Sequence, residues 1–212
     1  MNTLEAKNVS KQLKGVDVLR GINLNLEGGK VYAFQGENGC GKTMLFRVLS
    51  GLSVPTEGRV LYNGIDINKK HKELIKIGLV IEKAGLFPQL TGLQNLAYLA
   101  KINGIAKRED FIESLTRVGL DPNDKRTVRK YSLGMRQRLL IAQAIMERPD
   151  FLFFDEPTNA IDREGVELVY NIIREEAGRG AVVMMASHID RDISSLAEKR
   201  YLVEEGSITG EI

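Results

Sequence analysis

Gly36-Glu37-Asn38-Gly39-Cys40-Gly41-Lys42-Thr43 follows the spacing G-x-x-x-x-G-K-[ST]. Glycines in such a run let the backbone turn several N–H groups toward one anion. A helix beginning at the end of the run adds its partial positive charge. Lys42 would reach the outer phosphates of a bound nucleotide, and the Thr43 hydroxyl would ligate Mg²⁺. The segment that follows, Met44-Leu45-Phe46-Arg47-Val48-Leu49, reads as an apolar helix, and the segment before it reads as a strand. The phosphate-binding set is therefore Gly36, Glu37, Asn38, Gly39, Cys40, Gly41, Lys42, Thr43 and Met44.

A second chemical cluster lies far along the chain. Phe151-Leu152-Phe153-Phe154-Asp155-Glu156 is an apolar run closed by two acids. Adjacent strand residues point to opposite faces, so the two carboxylates at a strand end can take different tasks. Asp155 would hold Mg²⁺, through water, and Glu156 would orient and deprotonate an attacking water.

Elements able to position these groups are visible in the hydrophobic pattern. Ile22, Leu24 and Leu26 alternate with asparagines, as in a half-buried strand. Gly28-Gly29 marks a turn and Lys30–Gln35 the next strand. Val60–Ile67 and Ile77–Glu82 read as further strands, with Asn63-Gly64 as a turn or bulge. Thr91 and Gln94 form a capping box ahead of Leu93, Leu96, Ala97 and Ala100, which follow helical spacing. Phe111, Leu115 and Val118 predict a second amphipathic helix stopped at Gly119. Phe151–Phe154 and Ala181–Ala186 are continuous apolar runs, as in strands covered on both faces. A helix from about Arg163 to Ala177, with Asp162 as its cap, lies between them, and Arg200–Ile212 reads as a hairpin around Gly206. The expectation is an α/β fold with a mainly parallel sheet and a helical subdomain at about residues 88–148, inserted into a core of about 1–87 and 149–212.

Composition sets outer limits. The chain has 212 residues, with 30 Lys and Arg against 28 Asp and Glu. That balance gives no support to nucleic-acid binding or to a polybasic membrane anchor. A single cysteine, Cys40, excludes an internal disulfide and fits a reducing compartment. The N-terminus has no apolar signal core, and the longest apolar run, Ala181–Ala186, is too short to span a bilayer. A membrane role would come through a partner.

Tyr131-Ser132-Leu133-Gly134-Met135-Arg136-Gln137-Arg138 stands just before the acidic strand and, with the glycine-rich loop, resembles the signature segment of ATP-binding-cassette (ABC) ATPases. Pro157-Thr158-Asn159-Ala160-Ile161-Asp162 is similar to the family's D-loop, and Ser187-His188 to its switch histidine. The resemblance runs in motif order through essentially the whole chain, as one nucleotide-binding domain. It implies a P-loop NTPase core with antiparallel N-terminal strands, ATP and Mg²⁺ as ligands, and a head-to-tail homodimer, or a pseudo-dimer with a related cassette. Two ATPs would lie at that interface, each loop facing Ser132, Leu133 and Gly134 of the other copy. It also implies that His188 contacts the γ-phosphate and that Asp162 acts across the interface. A separate integral membrane permease would hold the chain on the cytoplasmic face of the plasma membrane, its coupling surface lying between the helical subdomain and Glu82.

Three positions depart from, or add to, the family pattern. Glu82 stands where most members have Gln; a carboxylate there can still bind Mg²⁺ and contact the attacking water, but it adds negative charge near Glu156. Glu82 and Tyr131–Met135 together resemble the branch that exports, or confers immunity to, peptide antibiotics of the bacitracin and lantibiotic type. Leu13 aligns with the adenine-stacking aromatic and has no π-face, so base recognition would rest on Val18. Cys40, inside the anion loop, is a candidate reactive thiol. Two other readings stay open on sequence: a soluble ABC ATPase of translation or DNA maintenance, and a P-loop kinase. The first usually carries tandem cassettes or a long insertion; the second needs neither Ser132–Gly134 nor a D-loop.

Overall fold

A computed structural model describes residues 1–68, 75–81 and 85–211. Glu82, a candidate catalytic and metal-binding residue, lies outside the described residues, as does Ile212. The chain opens with two long strands, β1 (Thr3–Leu13) and β2 (Val16–Glu27), joined by the tight turn Lys14-Gly15. β3 (Lys30–Gln35) leads through the glycine-rich loop into α1 (Lys42–Leu49). β4 (Glu57–Tyr62) and β5 (Ile65–Asp66) follow, then β6 (Ile77–Val80). Three helices come next: α2 (Gly92–Asn103), α3 (Arg108–Arg117) and α4 (Leu133–Ile145). The C-terminal third alternates β7 (Phe151–Asp155), α5 (Arg163–Gly178), β8 (Val182–Ala186), α6 (Asp190–Leu196), β9 (Lys199–Glu204) and β10 (Ser207–Glu211).

The strands form two sheets. One is antiparallel, in the order β2-β1-β4-β5; the other has the order β10-β9-β3-β8-β7-β6. In the second sheet every pairing is parallel except β9 with β10. Phe34 and Asp155 both pair with Ala186, so the C-terminal ends of β3, β7 and β8 lie side by side. Ligands of open parallel sheets bind in the crevice outside such strand ends.

Burial explains the layering. Tyr32, Phe34, Phe151, Phe153, Val182 and Met184 share a core with α1 and the antiparallel sheet. Val31, Ala33, Leu152, Phe154, Val183 and Met185 share another with α4, α5 and α6. Alternate residues of each central strand thus feed opposite layers, which is why these strands read as unbroken apolar runs. Phe46 of α1 packs edge-on against both Phe34 and Phe153, with centroids 5.5 and 5.6 Å apart. That contact seats the helix that ends the glycine-rich loop. Leu96, Phe111, Leu115 and Leu139 carry the second core out into the three central helices.

The predicted elements are present, with three adjustments. Of the turn or bulge expected at Asn63-Gly64, the structure has the turn: both residues take positive φ and divide Val60–Ile67 between β4 and β5. β1 had no clear period-two signal, because bulges at Ala6/Val9, Val9/Lys11 and Lys11/Gln12 break its alternation. β2 begins at Val16, well before the Ile22–Leu26 alternation that marks it. Caps fall where sequence put them. Thr91 and Gln94 make the reciprocal box, Gly119 (φ 69°) stands just beyond α3, and the Asp162 side chain accepts from the Gly165 N–H.

Candidate nucleotide site

Gly36 opens the loop where β3 ends, packed on the backbone of β9. A Cβ on Gly36 would sit 2.3 Å from the Val203 carbonyl oxygen, so no larger residue fits without moving β9. The other end of the loop is pinned by the β9–β10 turn, where the Gly206 N–H donates to the Cys40 carbonyl at 2.9 Å. Gly41 caps α1 at φ 113°, a backbone region open to glycine. The loop is therefore held from both ends by elements more than 150 residues away in sequence.

The buried Lys42 reaches back along the loop. Its Nζ donates to the carbonyls of Gly36 at 2.7 Å and Glu37 at 2.9 Å, and lies 3.8 Å from Cys40 Sγ. Thr43 Oγ1 donates to Asp155 Oδ2 at 2.6 Å, joining the first residues of α1 to the end of β7. These are hard oxygen donors side by side. Among the described residues no group of three or more His, Cys, Asp or Glu could hold a metal alone. That donor set fits a Mg²⁺ that arrives with phosphate oxygens, since Mg²⁺ takes one or two carboxylates and completes its shell with substrate and water.

Glu156 follows Asp155 with φ 50°, a left-handed conformation uncommon for a side chain of this size. Its N–H donates to the Ala186 carbonyl at 2.9 Å, which ties the ends of β7 and β8 together. Gln137 of α4 donates to the Glu156 and Pro157 carbonyls, each at 3.3 Å. Held this way, the carboxylate faces the loop after β8, and its Oε1 lies 2.9 Å from His188 Nδ1. A carboxylate only accepts, so the Nδ1 proton points at Glu156 and the other ring nitrogen of the half-exposed histidine is left for a different partner.

A cleft of about 750 Å³ collects these groups: Asn38, Gly39, Gly41, Lys42, Thr43 and Met44 from the loop and α1, Asp155 at the end of β7, Glu156 just beyond it, and His188 and Val18. Leu13 is not among its lining residues; it ends β1 at the hairpin tip, 43% exposed. Arg47, Ile81, Gln137 and Asn159 also line the cleft, and sequence reasoning assigned none of them a role. Gln137 lies within the Tyr131–Arg138 signature segment, but its bonds to the Glu156 and Pro157 carbonyls depend on where α4 packs against the end of β7, which no local spacing reports.

Ser132, Leu133 and Gly134 are elsewhere, outside the lining of that cleft. Ser132 caps α4, accepting from the Met135 N–H at 3.1 Å. Gly134 packs on the loop after β7, where a Cβ would come within 2.6 Å of the Ala160 carbonyl oxygen. Leu133 is 69% exposed, an apolar side chain at a helix N-terminus turned to solvent. Asp162 is engaged within its own chain as the cap of α5.

This fold and this loop define a P-loop nucleotide-binding protein with an ATPase site. The profile of the ABC transporter family matches residues 19–159, and the chain belongs to that family. It is 46% identical to the ABC transporter ATP-binding protein YybJ of Bacillus subtilis over 92% of this chain and 89% of that one. It is 39% identical to the bacitracin transport ATP-binding protein BcrA of Bacillus licheniformis, over 90% of this chain and 63% of that longer protein. It is 34% identical to the lantibiotic transport ATP-binding protein SrtF of Streptococcus pyogenes, over 97% and 88%. The solved dimeric structure of the bacterial ABC transporter cassette MJ0796 superimposes with a TM-score of 0.90 at 26% identity, covering 99% of this chain and 97% of that one. A post-hydrolysis dimer of the same cassette, bound to ADP and Pi, matches equally well, with a TM-score of 0.90 at 25% identity over 99% and 97%. The chain is thus an ATP-binding, ATP-hydrolysing subunit of an ABC transporter. No helix among its described residues is long and apolar enough to cross a membrane.

Proposed function

We propose that two copies of this chain, or one copy with a related cassette, close on two ATPs and drive a separate membrane permease. The observation that carries this reading is the division of labour within one chain. Lys42, Thr43, Asp155, Glu156 and His188 converge on one cleft, while the Ser132-Leu133-Gly134 helix start lies outside it with Leu133 exposed. A helix N-terminus favours phosphate. In a head-to-tail pair it would face the partner's cleft, with Asp162 near the same junction.

Within each site Lys42 would exchange its loop carbonyls for β- and γ-phosphate oxygens. Glu156 would accept the proton of the attacking water, and His188, oriented by Glu156, would present its remaining nitrogen toward the γ-phosphate. Thr43 and Asp155 would hold Mg²⁺, which neutralises phosphate charge when bound. Loss of the bridging phosphate removes contacts made only in the closed state, so hydrolysis reopens the pair.

The groove of about 500 Å³ beside the cleft, where Leu86 and Pro88 face Val128, Arg129, Arg136 and Leu140, is the surface on which the permease would dock. It lies between the segment that follows Glu82 and the central helices, taken as a subdomain of residues 88–148. The chain would then sit on the cytoplasmic face of the membrane through that partner. The similarity to BcrA and SrtF favours a peptide antibiotic as cargo, for export or immunity.

Light scattering on Glu156→Gln with ATP and Mg²⁺ tests the pairing: a stable dimer that dissolves when ATP is removed is expected. A strictly monomeric protein, even with its permease present, would overturn the reading. Recovery of the wild-type chain with an integral membrane protein tests the docking, and recovery with ribosomes or DNA instead would redirect it.

A further inference from the structure

Away from the nucleotide, one carboxylate is buried among the loops that carry the site. Asp192, in the first turn of α6, is 2% exposed. Its Oδ2 accepts from Thr158 Oγ1, and from Ser187 Oγ at 3.2 Å. Its Oδ1 accepts from the Tyr170 hydroxyl of α5. Ser187 Oγ in turn accepts from the Ile189 N–H at 3.0 Å, so the hydroxyl spans the backbone of His188. Thr158, Ser187 and Tyr170 are themselves buried, at 5%, 0% and 1% exposure.

The placement of these donors gives the cluster its meaning. Thr158 lies two residues beyond Glu156, and two before Ala160, whose carbonyl abuts Gly134. Ser187 immediately precedes His188. A buried carboxylate is costly unless it is fully hydrogen-bonded, and apolar residues of similar volume would pack such a space at least as well. What hydrogen bonds from three separate elements add is a defined relative geometry. We propose that Asp192 is a positioning residue: it locks the loop after β7 to the loop after β8, so that the Glu156–His188 pair and the Thr158–Ala160 segment shift as one unit when the partner chain closes. This rests on the catalytic reading of Glu156 and His188 given above.

Steady-state ATP hydrolysis by the intact chain tests it, with rates per folded molecule and urea midpoints measured for every variant. Thr158→Val and Ser187→Ala each remove one bond to Asp192 without touching Lys42 or Thr43; Ser187→Ala also removes the acceptor of the Ile189 N–H. Each is expected to lower kcat by about 10- to 100-fold, the range for misplaced catalytic groups, with KM for ATP unchanged. Thr158→Ser, which keeps the hydroxyl, restores kcat. In a His188→Ala background Ser187→Ala has no further effect, because it acts through that histidine; a purely structural residue would cost the same in both backgrounds. Additive losses, a parallel change of KM, or an unaltered kcat in Thr158→Val would each overturn the proposal. A wild-type kcat for His188→Ala alone would overturn the reading of His188 and this proposal with it. Asp192→Asn is the direct variant; if it does not fold, Thr158→Val with its Thr158→Ser control decides the outcome.

Discussion

His188 Nδ1 and Glu156 Oε1 lie 2.9 Å apart, although 32 residues, including all of α5, separate them in the chain. The contact exists because β7 and β8 are parallel neighbours whose ends coincide at Asp155 and Ala186. Each strand then delivers its first loop residues to the same edge of the sheet. The histidine is thereby oriented by the acid that would accept the water's proton, and a change at either residue disturbs both.

Glu156→Gln keeps the side chain's size but removes the carboxylate that would act as the base. Hydrolysis should fall by about 10²–10⁴-fold, the usual contribution of a general base, while ATP affinity is retained. Single-turnover rates and a nucleotide-binding titration check this; a rate within a factor of a few of wild type would assign the proton to another group.

Gly134→Ala places a methyl group 2.6 Å from the Ala160 carbonyl oxygen. Either α4 or the loop after β7 must shift, at a cost of about 1–3 kcal/mol. In a domain of this size that lowers Tm by ~2–4 °C per kcal/mol. Thermal unfolding should show the loss and ATP hydrolysis should fall with it; an unaltered Tm would mean that the two backbones have room to separate.

Glu176 of α5 is buried between two arginines. Arg117 of α3 reaches its Oε1 at 2.8 Å, and Arg179 reaches its Oε2 at 2.7 Å. Arg117 and α5 thus tie the central helices to the sheet layer. Glu176→Gln removes the shared charge but leaves Arg117 its second partner, Glu175 at 2.9 Å, and Arg179 the Pro149 carbonyl, so it should cost about 1–3 kcal/mol, the range for hydrogen bonds to charged groups. Urea denaturation measures it; a loss below 1 kcal/mol would show that solvent screens the cluster.

Nucleotide choice should be loose. An aromatic platform is worth about 1–3 kcal/mol per base, and at the hairpin tip this chain offers Leu13, which is outside the cleft lining. ATP and GTP should be hydrolysed at comparable kcat/KM, and Leu13→Tyr should tighten both. A strong preference of the wild-type protein for ATP would place base recognition elsewhere.

Cys40 sits within the anion loop with its carbonyl held by Gly206 and its Sγ 3.8 Å from Lys42 Nζ. Alkylation should block ATP binding, with ATP protecting the thiol and Cys40→Ala abolishing the effect. Mass spectrometry paired with activity checks it: complete modification with full activity would rule the idea out.

The groups that would meet phosphate are legible in the sequence because their chemistry is local. Gly36 to Thr43 must be consecutive to wrap one anion, and Asp155-Glu156 must follow an apolar run to stand at a strand end. The buried strands, the caps at Thr91 and Asp162 and the helix stop at Gly119 are likewise written within a few residues, where steric and hydrogen-bonding preferences act. The turn at Asn63-Gly64 belongs with these; bulged β1 and the partition into two sheets do not, since pairing between distant segments decides them. Tertiary structure alone brought His188 to Glu156, Gln137 over the end of β7, and Asp192 between Thr158 and Ser187. Those contacts join segments 5 to 34 residues apart through the order and register of buried strands, and that order follows from how the whole chain hides its apolar faces.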